Sequence, residues 1–298
     1  YFLTETIRVD KDRVNIVEQE DNETDSENIT GGWLVEIDNY RDDPQICFME
    51  GDTGEEMAIT YKTPEELSSA QEQFLRAEME RIDRLVYGDK NSDELWQYVD
   101  MDALAKFYIV QEITDNYESF HGSCYLYRDM GEGQKWMFGP VWDFGSAFNR
   151  DKYQYLYEGD VWHNHWIPEI CKFPKFMDRV KEIWQSFHAD GYAGVYDYAS
   201  DFASHIADAA KNDAKRWESQ GYGNKDMSYR LERIHRKLEI TEKWLVKQWG
   251  AGTSVNNIYV TDSETIIYTL QGMRTDEMKS GEVYIVRQGT ESKKVLIQ

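Results

Sequence analysis

Two stretches near the middle of the chain concentrate groups that can move protons or hold cations. Ile113–Ser123 (ITDNYESFHGS) offers Asp115, Asn116, Glu118 and His121, and Trp142–Gly145 (WDFG) offers Asp143. A short apolar run and a Gly-containing turn separate them, so a hairpin can bring both carboxylates to one cleft. Acids so placed suit phosphoryl transfer, which needs positioning and charge neutralisation more than covalent help. One carboxylate would orient the attacking hydroxyl, and the other would hold Mg²⁺ or Mn²⁺ against phosphate oxygens. The same residues also have a plain structural reading. Asp115 can end a helix, Glu118 can be a solvated loop charge, and Asp143 can cap the following turn through Ser146. Spacing alone leaves both readings open.

The remaining reactive side chains offer less. His163 and His165 alternate in WHNHW and would share a face of a strand, as zinc ligands can, but no third ligand stands at a diagnostic spacing. Together with His121 they are read as surface or aromatic-packed histidines. Cys47, Cys124 and Cys171 are odd in number and form no CxxC pair, so each is read as a small buried residue.

The elements that must position the acids follow from periodicity. Tyr1–Ile16 alternates as a strand, a turn at Asp10–Asp12 and a second strand, and the acidic run Glu18–Asn28 reads as a mobile loop. Gly31 and Gly32 open a strand over Trp33–Tyr40, with Ile46–Glu50 as its expected hairpin partner. Helical spacing then covers Pro64–Tyr87 and Met101–Ile113. Ser123–Asp129 is a strand, and Trp136–Phe148 a strand ending in a loop. Three helices are expected between Phe173 and Trp249, one of them running unbroken through YDYASDFASHIADAAKNDAKRW. After Gly250–Ser254 the period falls to two, in NNIYVTD, TIIYTLQG, GEVYIVRQG and KKVLIQ.

Composition narrows the partners. Asp and Glu number 56 against 33 Lys and Arg, a net charge of -23, which repels a phosphate polyanion and argues against nucleic acid. A basic protein segment or a divalent cation would be attracted. No apolar run approaches the roughly 18 to 20 residues that span a bilayer, so no transmembrane segment is expected in this chain. Twenty Tyr and ten Trp can fill a core or grip a surface partner.

The run FYIVQEITDNYESFHGSCYLYRDMGEGQKWMFGPVWDFGSAF resembles the central signature of the CotH (spore coat protein H) kinase family, and its DFG tripeptide resembles the metal-binding motif of protein kinases. YFLTETIRVDKDRVNI, GGWLVEIDNY and FPKFMDRVKEIW are similar to flanking segments of that family, so the resemblance spans about residues 1–249. It implies an α+β, atypical protein-kinase-like domain with a mostly helical C-lobe, whose upstream strands, carrying a nucleotide-binding Lys, are absent from this chain. It further implies ATP and Mg²⁺ or Mn²⁺ as cofactors, protein Ser/Thr as acceptor, Asp143 as metal ligand and Asn116 as a cofactor-binding position. Glu118 falls on the family's catalytic Asp, and the neighbouring Asp115 is an alternative. Two departures stand out: Glu replaces that Asp, and Gly145 stands where relatives carry Asp or Asn. They raise an alternative, a catalytically impaired surface protein acting as an adhesin or binding module.

The tail resembles a β module found at the end of secreted and surface proteins of Bacteroidetes, through Tyr268, Leu270, Gly272, Arg274, Gly281, Tyr284, Ile285 and Lys293–Ile297. It implies an extracytoplasmic protein, secreted or held at the cell surface. The expected organisation is therefore a kinase-like domain over 1–249, a linker over 250–254 and a small β-sandwich-like module over 255–298.

Overall fold

A computed structural model of the chain describes residues 5–41, 43–51, 53–149, 154–158, 164–218, 227–252, 265–269, 274–275, 278–288 and 291–297. Among them β1 (Trp33–Ile37), β2 (Gln45–Met49), β3 (Glu56–Thr63), β4 (Cys124–Arg128) and β5 (Met137–Phe138) form one antiparallel sheet in the order β2-β3-β1-β4-β5. All five residues of β1 are buried, as befits a strand covered on both faces. The glycines before it are there for space: a Cβ on Gly31 would lie 2.0 Å from the carbonyl oxygen of Asp129, and Gly32 has φ +77°.

Ile46–Glu50 does not pair with β1 as the sequence suggested. Glu56–Thr63, left unassigned there, hydrogen-bonds to both and lies between them. The tight return from β2 to β3, closed by Glu50 N–H donating to Glu55 O at 3.0 Å, makes these two the hairpin. The longer connection after β1 then carries β2 out to the sheet edge.

α1 (Ser69–Val86) packs on the sheet and begins with a capping box between Ser68 and Gln71. A short α2 (Leu95–Tyr98) leads to α3 (Met101–Thr114), whose N-terminus is capped by the Asp100 carboxylate bonding to Ala103 N–H. After a short α4 (Ile167–Ile170), α5 (Pro174–Asp190) and α8 (Met227–Trp249) both contact α3. Trp184, Trp249, Tyr108 and Phe176 are wholly buried at this junction and pack ring against ring. The single helix expected from YDYASDFASHIADAAKNDAKRW is two: α6 (Tyr192–His205) and α7 (Ala207–Arg216), parted at Ile206.

The N-terminal strand pair is reduced, among described residues, to one bridge between Val9 and Val14, with Val14 buried against Leu34 and Tyr125. The acidic run expected to be a loose loop is fastened instead: Asp21 Oδ1 accepts from the N–H groups of Glu65 and Glu66, and Asn22 N–H donates to Glu66 O. At the other end β6 (Thr265–Thr269), β7 (Arg274–Thr275), β8 (Val283–Gln288) and β9 (Glu291–Leu296) form an antiparallel sheet in the order β7-β6-β8-β9. Its alternation shows in Tyr284 and Val286, buried two residues apart. NNIYVTD, Leu270 and Gly272 lie outside the described residues.

Candidate functional site

The site forms where α3 stops. Asp115 follows the helix in the left-handed region, φ 52°, and its N–H closes the last turn on Gln111 O and Glu112 O. An Asp tolerates that conformation better than most side chains, so the chain turns there. Asn116, the next residue, is wholly buried. Its Nδ2 donates to Gln111 Oε1 at 3.0 Å and to the backbone carbonyl of Asp143 at 3.0 Å. Its Oδ1 accepts from the Ser146 hydroxyl at 2.6 Å. A carbonyl can only accept, so the bond to Asp143 O fixes which end of the amide carries the hydrogens.

One amide therefore clasps the end of α3 to the WDFG loop, and Phe148 N–H donating to Thr114 O at 2.8 Å adds a second tie. The loop is shaped for this. Asp143 has φ 52°, its carboxylate oxygen Oδ1 accepts from Gly145 N–H at 3.0 Å, and its side chain faces solvent. The bond to Gly145 is an Asx-type turn, so the plain capping role foreseen for Asp143 exists, but Ser146 serves Asn116 instead. Farther along, Asn149 Nδ2 donates to Gly145 O, and the Arg233 guanidinium on α8 donates to Phe148 O and Asn149 Oδ1.

Glu118 sits half-buried in the turn after Asn116. Asn116 O holds that turn by accepting from Ser119 N–H at 3.3 Å and from the Ser119 hydroxyl at 2.7 Å. Both acid-bearing stretches thus meet at the C-terminal end of α3. Among the described residues no hydrogen bond or ion pair joins the Glu118 and Asp143 carboxylates. His121 is buried, and its carbonyl accepts from Asn39 N–H. His165 lies elsewhere, with Nδ1 2.8 Å from Glu50 Oε2 and Nε2 3.1 Å from Asn39 Oδ1. His163 is outside the described residues.

The donor set suits a cation only in part. No three His, Cys, Asp or Glu side chains converge among the described residues, so no all-protein cage is built there. Asp143 offers an exposed carboxylate whose Oδ1 is used within its own loop, and the Asn116 oxygen is closed off by Ser146. This fits an ion of the Mg²⁺ type, which commonly takes one or two carboxylates and completes its shell with water and phosphate oxygens.

Sequence reasoning singled out Asn116 and Asp143, which a hydrogen bond joins, but not Gln111 or Arg233, and it paired Ser146 with Asp143 rather than with Asn116. Gln111 precedes Asn116 by five residues and reads as one more helical position. Arg233 arrives from 85 residues away and leaves no local signal.

The family model described as CotH kinase protein matches residues 1–245, from the N-terminal segment through both acid-bearing stretches to Leu245 on α8. No curated protein matches the chain.

Proposed function

We propose a function from one premise: the chain belongs to the CotH kinase family. The activity is transfer of a phosphoryl group from ATP to Ser or Thr hydroxyls of a protein, at the junction of the Ile113–Ser123 and Trp142–Gly145 stretches. The observation that carries it is the Asn116 clasp, which gives two acid-bearing loops one fixed relative position. Asp143 would hold the divalent cation, which when bound neutralises charge on the phosphate oxygens. Glu118 would accept a hydrogen bond from the acceptor hydroxyl, orienting it and taking its proton, with Asp115 as the alternative base. Asn116 acts here by holding the loops rather than by touching a ligand.

The net charge of -23 favours a basic acceptor segment and disfavours nucleic acid. The resemblance of the tail to exported β modules supports an extracytoplasmic location, secreted or at the cell surface. It also supports a division into a kinase-like domain over 1–249, a linker over 250–254 and a β module over 255–298. No helix among the described residues is long and apolar enough to cross a membrane.

A thermal-shift titration with ATP and Mn²⁺ tests the reading. Stabilisation that Asp143→Ala abolishes and Glu118→Ala leaves intact is expected, with phosphotransfer falling on the order of a hundredfold in Glu118→Ala. No stabilisation by ATP and Mn²⁺ would sink it and favour the second reading, a surface-binding module on a kinase-like scaffold. That reading draws on the Asn116 oxygen being closed by Ser146 and on Glu118 standing for the family's Asp.

A further inference from the structure

A cationic hollow lies just past the WDFG loop of this acidic molecule. The hollow, of about 280 Å³, lies between Ala147–Asn149 on the loop side and Tyr229, Arg230, Arg233 and Ile234 on α8. Acids outnumber bases 56 to 33, yet among the described residues neither Arg230 nor Arg233 has a carboxylate partner. Arg13, Arg41, Arg76, Arg81 and Arg179 each have one, whereas Arg84, Arg216 and Arg236 share the lack among the described residues, so it is the placing of Arg230 and Arg233 beside the loop that sets them apart. Nor is Arg233 free to wander. One terminal nitrogen donates to both Phe148 O, at 3.2 Å, and Asn149 Oδ1, at 3.0 Å. That fixes the guanidinium plane against the loop, while the other terminal nitrogen makes no bond among the described residues. Arg230 stands one helical turn earlier on the same face of α8, and Lys237, one turn later, is 4% exposed. The row is cationic from the helix start inward.

We propose that Arg230 and Arg233 form a phosphate-binding subsite at the end of the WDFG loop. Two planar guanidinium forks side by side on one wall of the hollow are suited to the oxygens of one phosphoryl group, because guanidinium–phosphate pairs are charge-assisted and can be bidentate. The inference deepens the reading above and rests on it for the source of the phosphate. In that reading the nucleotide spans from Asp143 to this subsite, and the arginines hold phosphate charge that a single carboxylate-bound cation does not. Free phosphate, as a product or from solution, is the other source of the same chemistry.

The test is calorimetric titration of the full chain with pyrophosphate in metal-free buffer containing EDTA, and separately with ATP and Mn²⁺. The variants are Arg230→Ala, Arg230→Lys, Arg233→Ala and Asp143→Ala. Pyrophosphate should bind the parent protein, and Kd should rise about tenfold in each Arg→Ala variant, the loss of one charge-assisted pair. Arg230→Lys should keep most of the affinity, and Asp143→Ala should keep all of it. Among the described residues no hydrogen bond or ion pair ties Arg230 to the loop, so its variants report on binding even if Arg233→Ala loosens the loop. Pyrophosphate affinity equal in the parent and both Arg→Ala variants would overturn the subsite. ATP binding lost in Asp143→Ala but untouched in Arg230→Ala would also overturn it, while leaving the kinase reading standing. Pyrophosphate binding that depends on the arginines, with no ATP binding, would keep the subsite, assign it to free phosphate and remove the kinase reading.

Discussion

Replacing Asn116 by Ala should damage the fold more than most single substitutions, by an amount the structure allows one to work out. The side chain is wholly buried and makes three hydrogen bonds, to Gln111 Oε1, Asp143 O and Ser146 Oγ. At about 1 kcal/mol per bond the loss is about 3 kcal/mol, and the partners left behind are themselves buried or tied into a loop. That corresponds to a melting temperature lower by about 6–12 °C at 2–4 °C per kcal/mol for a chain approaching this size. Ser146→Ala alone removes one of the three bonds and should cost about 1 kcal/mol. In the double variant the Ser146 change should cost almost nothing more, because its partner is already gone, giving a coupling of about 1 kcal/mol. Asn116→Asp keeps the shape but sets an oxygen against the Asp143 carbonyl, so it should be at least as costly as Ala. Urea unfolding followed by tryptophan fluorescence measures all four. A loss under about 1 kcal/mol for Asn116→Ala, or effects that add to within about 0.4 kcal/mol, would refute the clasp.

Two further predictions concern pairs that brace the fold. His165→Ala removes the Nδ1 contact to Glu50, whose side chain is wholly buried, and should cost about 1–3 kcal/mol in urea unfolding, as depriving a buried group of a hydrogen-bond partner does; a loss under about 0.5 kcal/mol would show the contact to be incidental. Asp102 on α3 is gripped by Arg179 on α5 through two bonds of 2.7 Å, and this hydrogen bonding holds its carboxyl below the usual carboxylate range. A depressed folded-state pKa adds stability above the unfolded value, near 3.8, that is lost as pH falls through the lower folded value. Asp102→Asn should therefore be destabilising at pH 7, by under about 1 kcal/mol because the pair is exposed, and should match the parent at the acid end of a pH series. A difference that stays constant from pH 7 to pH 3 would rule out the ion pair as its source.

What could be read from the sequence tracks what is local. Helical spacing located α1 and α5 because each buries a periodic face, whereas α3 is buried on most sides and shows as an apolar run of helical length; Gly31–Gly32 marked the start of β1 because no side chain fits there. β3 was missed for the opposite reason: Glu56, Tyr61, Lys62 and Thr63 dilute its apolar alternation, and only its pairing with both neighbours shows it central. Ile206 gave no Gly or Pro warning of the break between α6 and α7. At the candidate site, residue type drew attention to Asn116 and Asp143, whereas the bond between them and the contact of Arg233 with the loop depend on distant chain segments meeting.

The grip of Arg233 on Phe148, across 85 residues, has a consequence in time. A ribosome adding 5–20 residues per second needs on the order of 4–17 s to make the arginine after the loop has been polymerised. Through that interval the WDFG segment exists without the helix that braces it, and Tyr155 waits longer still for Trp249, 94 residues downstream. A chain halted before α8 would carry every acid of the site and lack the assembled loop. On the proposed kinase reading, activity would therefore appear only once α8 has been made, late in synthesis or after release.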